Sequence, residues 1–247
     1  WLVLIGAAAI AAILSMSVVT VEWRWLLNPR FINSVVIVGA LTIATIVSVR
    51  AEGKSEWLMP AVFSSAVAIL GIVALSEEIY AAFWLWKIPS AETWETAAWF
   101  SIAGFWGIAS AVVWLVGLRW QLTGLRVVIG AGLWFLAALM ALIVSLSPDI
   151  GDWLPIVNFR VLSFTMLIAS GVVIAIAFRR CEDALVEVER ETGLPFWFGA
   201  GINILALWLL TQETHFLFRE TQFPSPETWG YAAQGAISVV WAIYAAG

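Results

Sequence analysis

Eight stretches of the chain run for 17 to 23 residues without a single charged side chain: 1–20, 33–49, 57–76, 96–118, 127–147, 161–178, 194–212 and 230–247. The Arg, Lys, Glu, Asp and most Pro residues fall between them. A hydrocarbon core about 30 Å thick takes roughly 20 helical residues at about 1.5 Å each. Inside lipid every backbone N–H and C=O must be paired within its own segment, so runs of this length and polarity predict helix. A transmembrane β-barrel would instead alternate polar and apolar over about ten residues. The expected fold is all-α, a polytopic transmembrane bundle of about eight spans.

The aromatic and small residues sharpen that reading. Trp23, Trp25, Trp57, Trp84, Trp86, Trp94, Trp120, Trp153 and Trp229 stand near span ends, where an amphipathic ring anchors at the membrane–water boundary. Trp99, Trp106 and Trp114 instead form a stripe within one span, more simply explained by packing or lipid contact than by a cavity. Ala103, Gly107 and Ala111 recur every four positions in the same span and permit close helix packing. The loops after the second, fourth and sixth spans hold seven Lys and Arg against five in the others, which places the first group in the cytoplasm.

The pattern repeats. PSAETWETAA (Pro89 to Ala98) returns as PSPETWGYAA (Pro224 to Ala233), 135 residues later. At the same offset Leu75–Phe83 falls on Leu210–Phe218, and Trp106 falls on Trp241. Asn28-Pro29-Arg30-Phe31 corresponds to Asn158-Phe159-Arg160-Val161, and each opens an apolar span that ends on Arg. Ile5-Gly6-Ala7 matches Ile129-Gly130-Ala131. Residues 28–157 therefore read as a complete four-helix unit of about 130 residues, 158–247 as the first three helices of the next, and 1–27 as the last helix of an earlier one. An even number of spans per unit makes successive units parallel, related by an axis near the membrane normal. The chain opens at Trp1 and closes at Gly247, both within apolar runs, so a segment of a longer protein is expected.

Several of these landmarks carry a family resemblance. Leu27 to Phe31 shows a Leu-Asn-x-Arg-Phe start; Ser76-Glu77-Glu78 and Thr211-Gln212-Glu213 end their spans in Ser/Thr-x-Glu; Ser238 to Ala245 reads Ser-Val-Val-Trp-Ala-x-Tyr-Ala, in degraded form at Ala103 to Ser110; and Arg160 to Phe164 reads Arg-Val-Leu-Ser-Phe. Together they resemble a family of large bacterial predicted membrane proteins known as domain of unknown function 2339. The resemblance implies a long polytopic protein of the bacterial inner membrane and no established activity. Family members often carry a Lys and an Asp near the end of the helix before Arg-Val-Leu-Ser-Phe; Leu133 to Ser145 holds no Lys, so no role of that lysine transfers.

Composition then narrows the function. The chain is 62% hydrophobic and 12% charged with a net charge of −5, which offers no basic footprint for nucleic acid. Its single cysteine, Cys181, rules out an internal disulfide framework. No ionisable side chain lies within a span, whereas ion-coupled transporters keep such groups at membrane depth. No phosphate loop, nucleophile triad, Cys-x-x-Cys or haem-attachment motif is present. Cys181 to Gly193 is a charged connector.

Polar chemistry gathers on the predicted outer face, with Glu77, Glu78, Glu92 and Glu95 in one unit and Glu213, His215, Glu220 and Glu227 in the next. Repetition places Glu78 and Glu213 at equivalent helix ends, with Tyr80 opposite His215. Two carboxylates beside an imidazole can bind a divalent metal or act as acid and base. The plainer alternative is that carboxylates mark span ends and meet headgroups and water. Glu77, Glu78, Glu213 and His215 form the candidate polar site, with no catalytic assignment, no metal assignment and no cofactor indicated. Asn203 and Gln234, within spans, are expected to make helix–helix hydrogen bonds. The first reading is a non-catalytic module of the bacterial cell envelope, a scaffold or complex subunit whose partners are the bilayer, other membrane subunits or further repeats. The others are a transporter or channel for a lipid-like or uncharged substrate, and an envelope enzyme using the outer-face glutamates on a lipid-linked substrate.

Overall fold

A computed structural model describes residues 35–36, 38–40, 58–123, 125–147, 156–181, 185 and 193–246, with side chains from residue 64 onward in the stretch 58–123. The expected span 1–20, the expected unit 1–27 and most of the span 33–49 lie outside the described residues; residues 35–36 and 38–40 are helical. The remaining elements are α1 (Leu58–Trp86), α2 (Trp94–Arg119), a π-helical stretch (Leu125–Ala131) running into α3 (Gly132–Val144), α4 (Phe159–Arg180), α5 (Leu194–Thr221) and α6 (Trp229–Ala246). Among the described residues every regular element is helical. Five segments are long and apolar enough to cross a bilayer: Ser64–Trp86, Trp94–Arg119, Leu125–Val144, Phe159–Arg180 and Leu194–Thr221. The described part of the chain is all-helical, and its five long apolar helices make this a multi-pass membrane protein.

Charge marks the edge of the hydrocarbon and not the end of a helix. The apolar runs stop at Ser76 and Gln212, yet α1 continues to Trp86 and α5 to Thr221. The added turns keep packing: Ala81 and Ala82 are buried, and Tyr80 meets the rings of Trp94 and Trp99 at 5.4 and 5.5 Å. Both helices then stop on a left-handed residue, Lys87 or Gln222, each at φ 51°. A backbone turned that way cannot extend the i→i−4 ladder, and it reverses the chain.

The centre of the bundle is α2, which packs against α1, α4 and the π–α3 segment; α4 in turn carries α5, and α5 pairs with α6. Small residues set the α2–α4 distance. A Cβ at Gly107 would lie 2.8 Å from Leu167 Cδ2 and 3.3 Å from Leu167 Cα, and one at Gly104 would lie 3.3 Å from Ser163 Cα. No larger side chain leaves room for that approach. Trp134 crosses to α4 and donates its Nε1–H to the Leu167 carbonyl (3.0 Å) and Ser170 Oγ (3.2 Å). Trp114, Phe178, Phe198, Trp134 and Phe135 form one aromatic cluster with ring separations of 4.7 to 6.2 Å.

The π-helical stretch was not foreseen from sequence. Its widened turns displace the i→i−4 carbonyl partners, and Ser110 Oγ on α2 donates to the Gly130 carbonyl at 2.7 Å. Gly130 lets the turn sit against Trp114, whose Cε3 would be 3.2 Å from an added Cβ. Arg126, 1% exposed, donates to the Gly117 carbonyl (3.1 Å) in the last turns of α2. The same carbonyl accepts the Leu122 N–H at 2.8 Å, and the guanidinium beside it meets the negative end of the helix dipole.

Outside this core the surface is apolar. Val112, Leu115, Leu139, Val172, Val173, Ile176 and Ile204 are all exposed within their helices. Patches of this kind are foreign to a wetted surface and ordinary against lipid.

Candidate functional site

The candidate residues sit on two hairpins of like construction, α1–α2 and α5–α6. In each turn a serine ahead of the second helix meets a threonine hydroxyl: Ser90 Oγ to Thr93 Oγ1 at 2.8 Å, and Ser225 Oγ to Thr228 Oγ1 at 2.7 Å. The Ser90 and Ser225 carbonyls accept the N–H of Trp94 (3.2 Å) and Trp229 (3.0 Å). One tryptophan in each hairpin reaches back to a hydroxyl: Trp106 Nε1 donates to Ser76 Oγ at 2.7 Å, and Trp241 Nε1 to Thr211 Oγ1 at 2.9 Å. One aromatic ring near each turn stands edge-on to the next: Tyr80 on Trp94 at 5.4 Å and 67°, His215 on Trp229 at 5.4 Å and 74°. An X–Pro bond in each turn, Ile88–Pro89 and Phe223–Pro224, is cis.

Glu213 lies at the centre of a clamp. Its Oε1 accepts from Arg160 Nε (2.9 Å) and Nη2 (2.6 Å), with Asn158 Nδ2 at 3.2 Å. Its Oε2 accepts the backbone N–H of Ile156 at 2.8 Å. The clamp ties α5 to the start of α4. Arg160 is 1% exposed and Glu213 13%, so the pair lies in low dielectric, where charge-assisted bonds from two guanidinium nitrogens to one carboxylate oxygen are strong. Asn158 serves twice, because its Oδ1 also accepts the Val161 N–H at 2.9 Å and caps α4. The Phe216 ring lies under the Arg160 guanidinium at 5.5 Å, with Arg219 beside it at 5.1 Å.

The other three candidates have separate surroundings. Glu78 is buried in α1 at 4% exposure, and Glu77 beside it is half-buried. His215 is exposed and turns its ring to Trp229. Helices α1 and α5 share no extensive interface. Among the described residues no three His, Cys, Asp or Glu side chains come together in a group able to hold a metal ion. Of the other acids near the span ends, Glu220 pairs with Arg219 at 3.3 Å on the surface.

Sequence reasoning placed Asn158 and Arg160 among the repeat landmarks and missed them as partners of Glu213. The available signal was an Asn-x-Arg opening a span and a Glu near the end of another, at Asn28 and Arg30 with Glu78 and again at Asn158 and Arg160 with Glu213. Asn203 performs the helix–helix bonding expected of it: its Oδ1 accepts from Tyr244 Oη at 2.5 Å across α5 and α6, while its Nδ2 donates to the Gly199 carbonyl at 2.7 Å. The tryptophan stripe has three surroundings. Trp99 lies against Tyr80, Trp106 bonds to Ser76, and Trp114 is wholly buried in the aromatic cluster. Comparison with protein-family models, with curated proteins and with solved structures finds no match to this chain.

Proposed function

We propose that the chain is a non-catalytic scaffold module of the bacterial inner membrane, assembled from tandem four-helix units within a bundle of about eight spans. The observation that carries the scaffold reading is the state of Glu213. The carboxylate best placed for chemistry already accepts from a buried guanidinium, a capping asparagine and a backbone N–H. Those contacts join two spans, which is the work of a structural lock.

The repeat is supported by the two hairpins. The Trp106–Ser76 and Trp241–Thr211 bonds, the Ser–Thr turns, the left-handed helix ends and the edge-on rings all stand 135 positions apart, as the sequence blocks do. By the same correspondence Asn28 and Arg30 are to Glu78 what Asn158 and Arg160 are to Glu213; residues 28–31 lie outside the described residues, so this rests on sequence. The resemblance to domain of unknown function 2339 fits the same reading and rests on the short motifs alone.

Cells lacking the gene and complemented with Glu213→Gln or Arg160→Gln test the proposal. The scaffold reading expects both variants to lose thermal stability together and to lose function only as far as folded protein is lost. A Glu213→Gln protein of wild-type stability and abundance that fails to complement would overturn it in favour of chemistry at the carboxylate.

A further inference from the structure

The outward face of α6 does not suit a lipid surface. Gly235, Ser238, Val239, Ala242 and Ala246 lie along it, all exposed, and Ala233 is the one buried residue of the helix. Gln234, about one and a half turns into the helix, is exposed beside them. An amide facing hydrocarbon lacks the partners that water gives it. Small side chains facing lipid leave gaps that a neighbouring helix fills better.

The same structure contains the filled version of this face. On α2, Phe100, Ala103, Gly104, Gly107 and Ala111 occupy the positions 135 residues earlier, and all five are buried. Their cover is α4: Phe100 meets Phe164, Gly104 meets Ser163 and Met166, and Gly107 meets Leu167 and Ser170. In the repeat, α2 is a third helix and α4 is the opening helix of the following unit.

We infer that the Gly235–Ser238–Val239–Ala242–Ala246 face of α6 seats the opening helix of a further unit of the same repeat, as α2 seats α4. The occupant is a span beginning Asn-x-Arg, with serines and larger apolar side chains alternating on the face it turns to α6, as Ser163, Phe164, Leu167 and Ser170 do on α4. This rests on the repeat proposed above and extends it into a continuing array, in which each third helix is the socket for the next unit.

The test is photo-crosslinking of the protein in its native membrane. A benzophenone amino acid replaces Ala242 or, in a second variant, Val239, with Val172 on the outer side of α4 as the lipid-facing control. The expected product at both α6 positions is a crosslink several-fold above the control, mapped by peptide sequencing to a helix that opens Asn-x-Arg. Lipid adducts alone, a product joining α6 to α6 of another copy, or a protein lacking the repeat pattern would each overturn the inference. The repeat itself is read in the same membranes from cysteine pairs at 76 with 106 and at 211 with 241, in a Cys181→Ser background, bridged by a short bifunctional methanethiosulfonate because the indole that makes each contact holds the two Cβ atoms too far apart for a direct disulfide. Equal bridging in both pairs with only lipid adducts at 242 and 239 removes the socket and keeps the repeat. Closure of the first pair alone removes both.

Discussion

Replacing Glu213 by alanine is the most informative single change in this bundle. It removes the acceptor of four hydrogen-bond donors on three residues and leaves the Arg160 guanidinium, 1% exposed, with no opposite charge. Breaking a buried ion pair by removing one partner costs about 3–5 kcal/mol, because the remaining charge is stranded in low dielectric. Arg160→Met strands the carboxylate instead, but Asn158 and the Ile156 N–H still serve it, so the lower half of that range is expected. The double variant Arg160→Met, Glu213→Ala removes both charges. Its cost shrinks to the two donors left behind, about 1–3 kcal/mol. The cycle should therefore close with a coupling energy above about 2 kcal/mol. Reversible unfolding in mixed micelles titrated with dodecyl sulfate, followed by tryptophan fluorescence, measures all four corners. Additive single variants, or a Glu213→Ala cost below about 1 kcal/mol, would show that the clamp does not lock α4 to α5.

Other changes probe the packing and the repeat, by the same titration. Gly201→Ala sets a Cβ 2.7 Å from Trp134 Cζ3 and Cη2 and should cost about 1–3 kcal/mol, whereas Gly199→Ala, with open space around its Cβ, should be neutral or stabilising; equal effects would refute the close approach. Ser110→Ala strips the Gly130 carbonyl of its side-chain donor in the core and should cost about 1–3 kcal/mol. Trp106→Phe and Trp241→Phe should each lose about 0.5–1.5 kcal/mol, more at the half-buried Trp106 than at the exposed Trp241. Arg30→Met should destabilise as Arg160→Met does, and a neutral result would break the assignment of Arg30 to Glu78.

The spans were legible because hydrocarbon forbids unpaired charge, so every described helix core appears in the sequence as a charge-free run. Helix ends were less legible, because α1 and α5 carry Glu78 and Glu213 well inside their bounds. The hairpins were legible through the returning PSxETW block, whose serine, threonine and tryptophan all make local contacts. The clamp was not, since Arg160 and Glu213 are 53 residues apart and each looks like an ordinary span-end charge. The π-helical stretch left no mark either: Leu125–Ala131 is simply apolar, and its widened turn depends on Ser110 and Trp114 from another helix.

What differs between the two hairpins bears on function as much as what recurs. Ser76 gives way to Thr211 and the hydroxyl still accepts from tryptophan; Lys87 gives way to Gln222 and the helix still ends left-handed. Tyr80 gives way to His215 and the ring still stands edge-on to tryptophan at the same 5.4 Å. A phenol and an imidazole differ in proton affinity by about three and a half pKa units, so a proton-transfer role shared by the two positions would not survive the exchange. A role that asks only for a flat ring with a polar edge does survive it. The Ala68–Ala109 positions become Asn203 and Tyr244, adding a bond between α5 and α6 where the first hairpin has only methyl groups. Substitutions that keep or add contacts between helices, while exchanging the reactive groups, are what a load on helix placement produces. They place His215 with the packing of the α5–α6 hairpin, and they make its imidazole the least suitable of the four candidates on which to build a reaction.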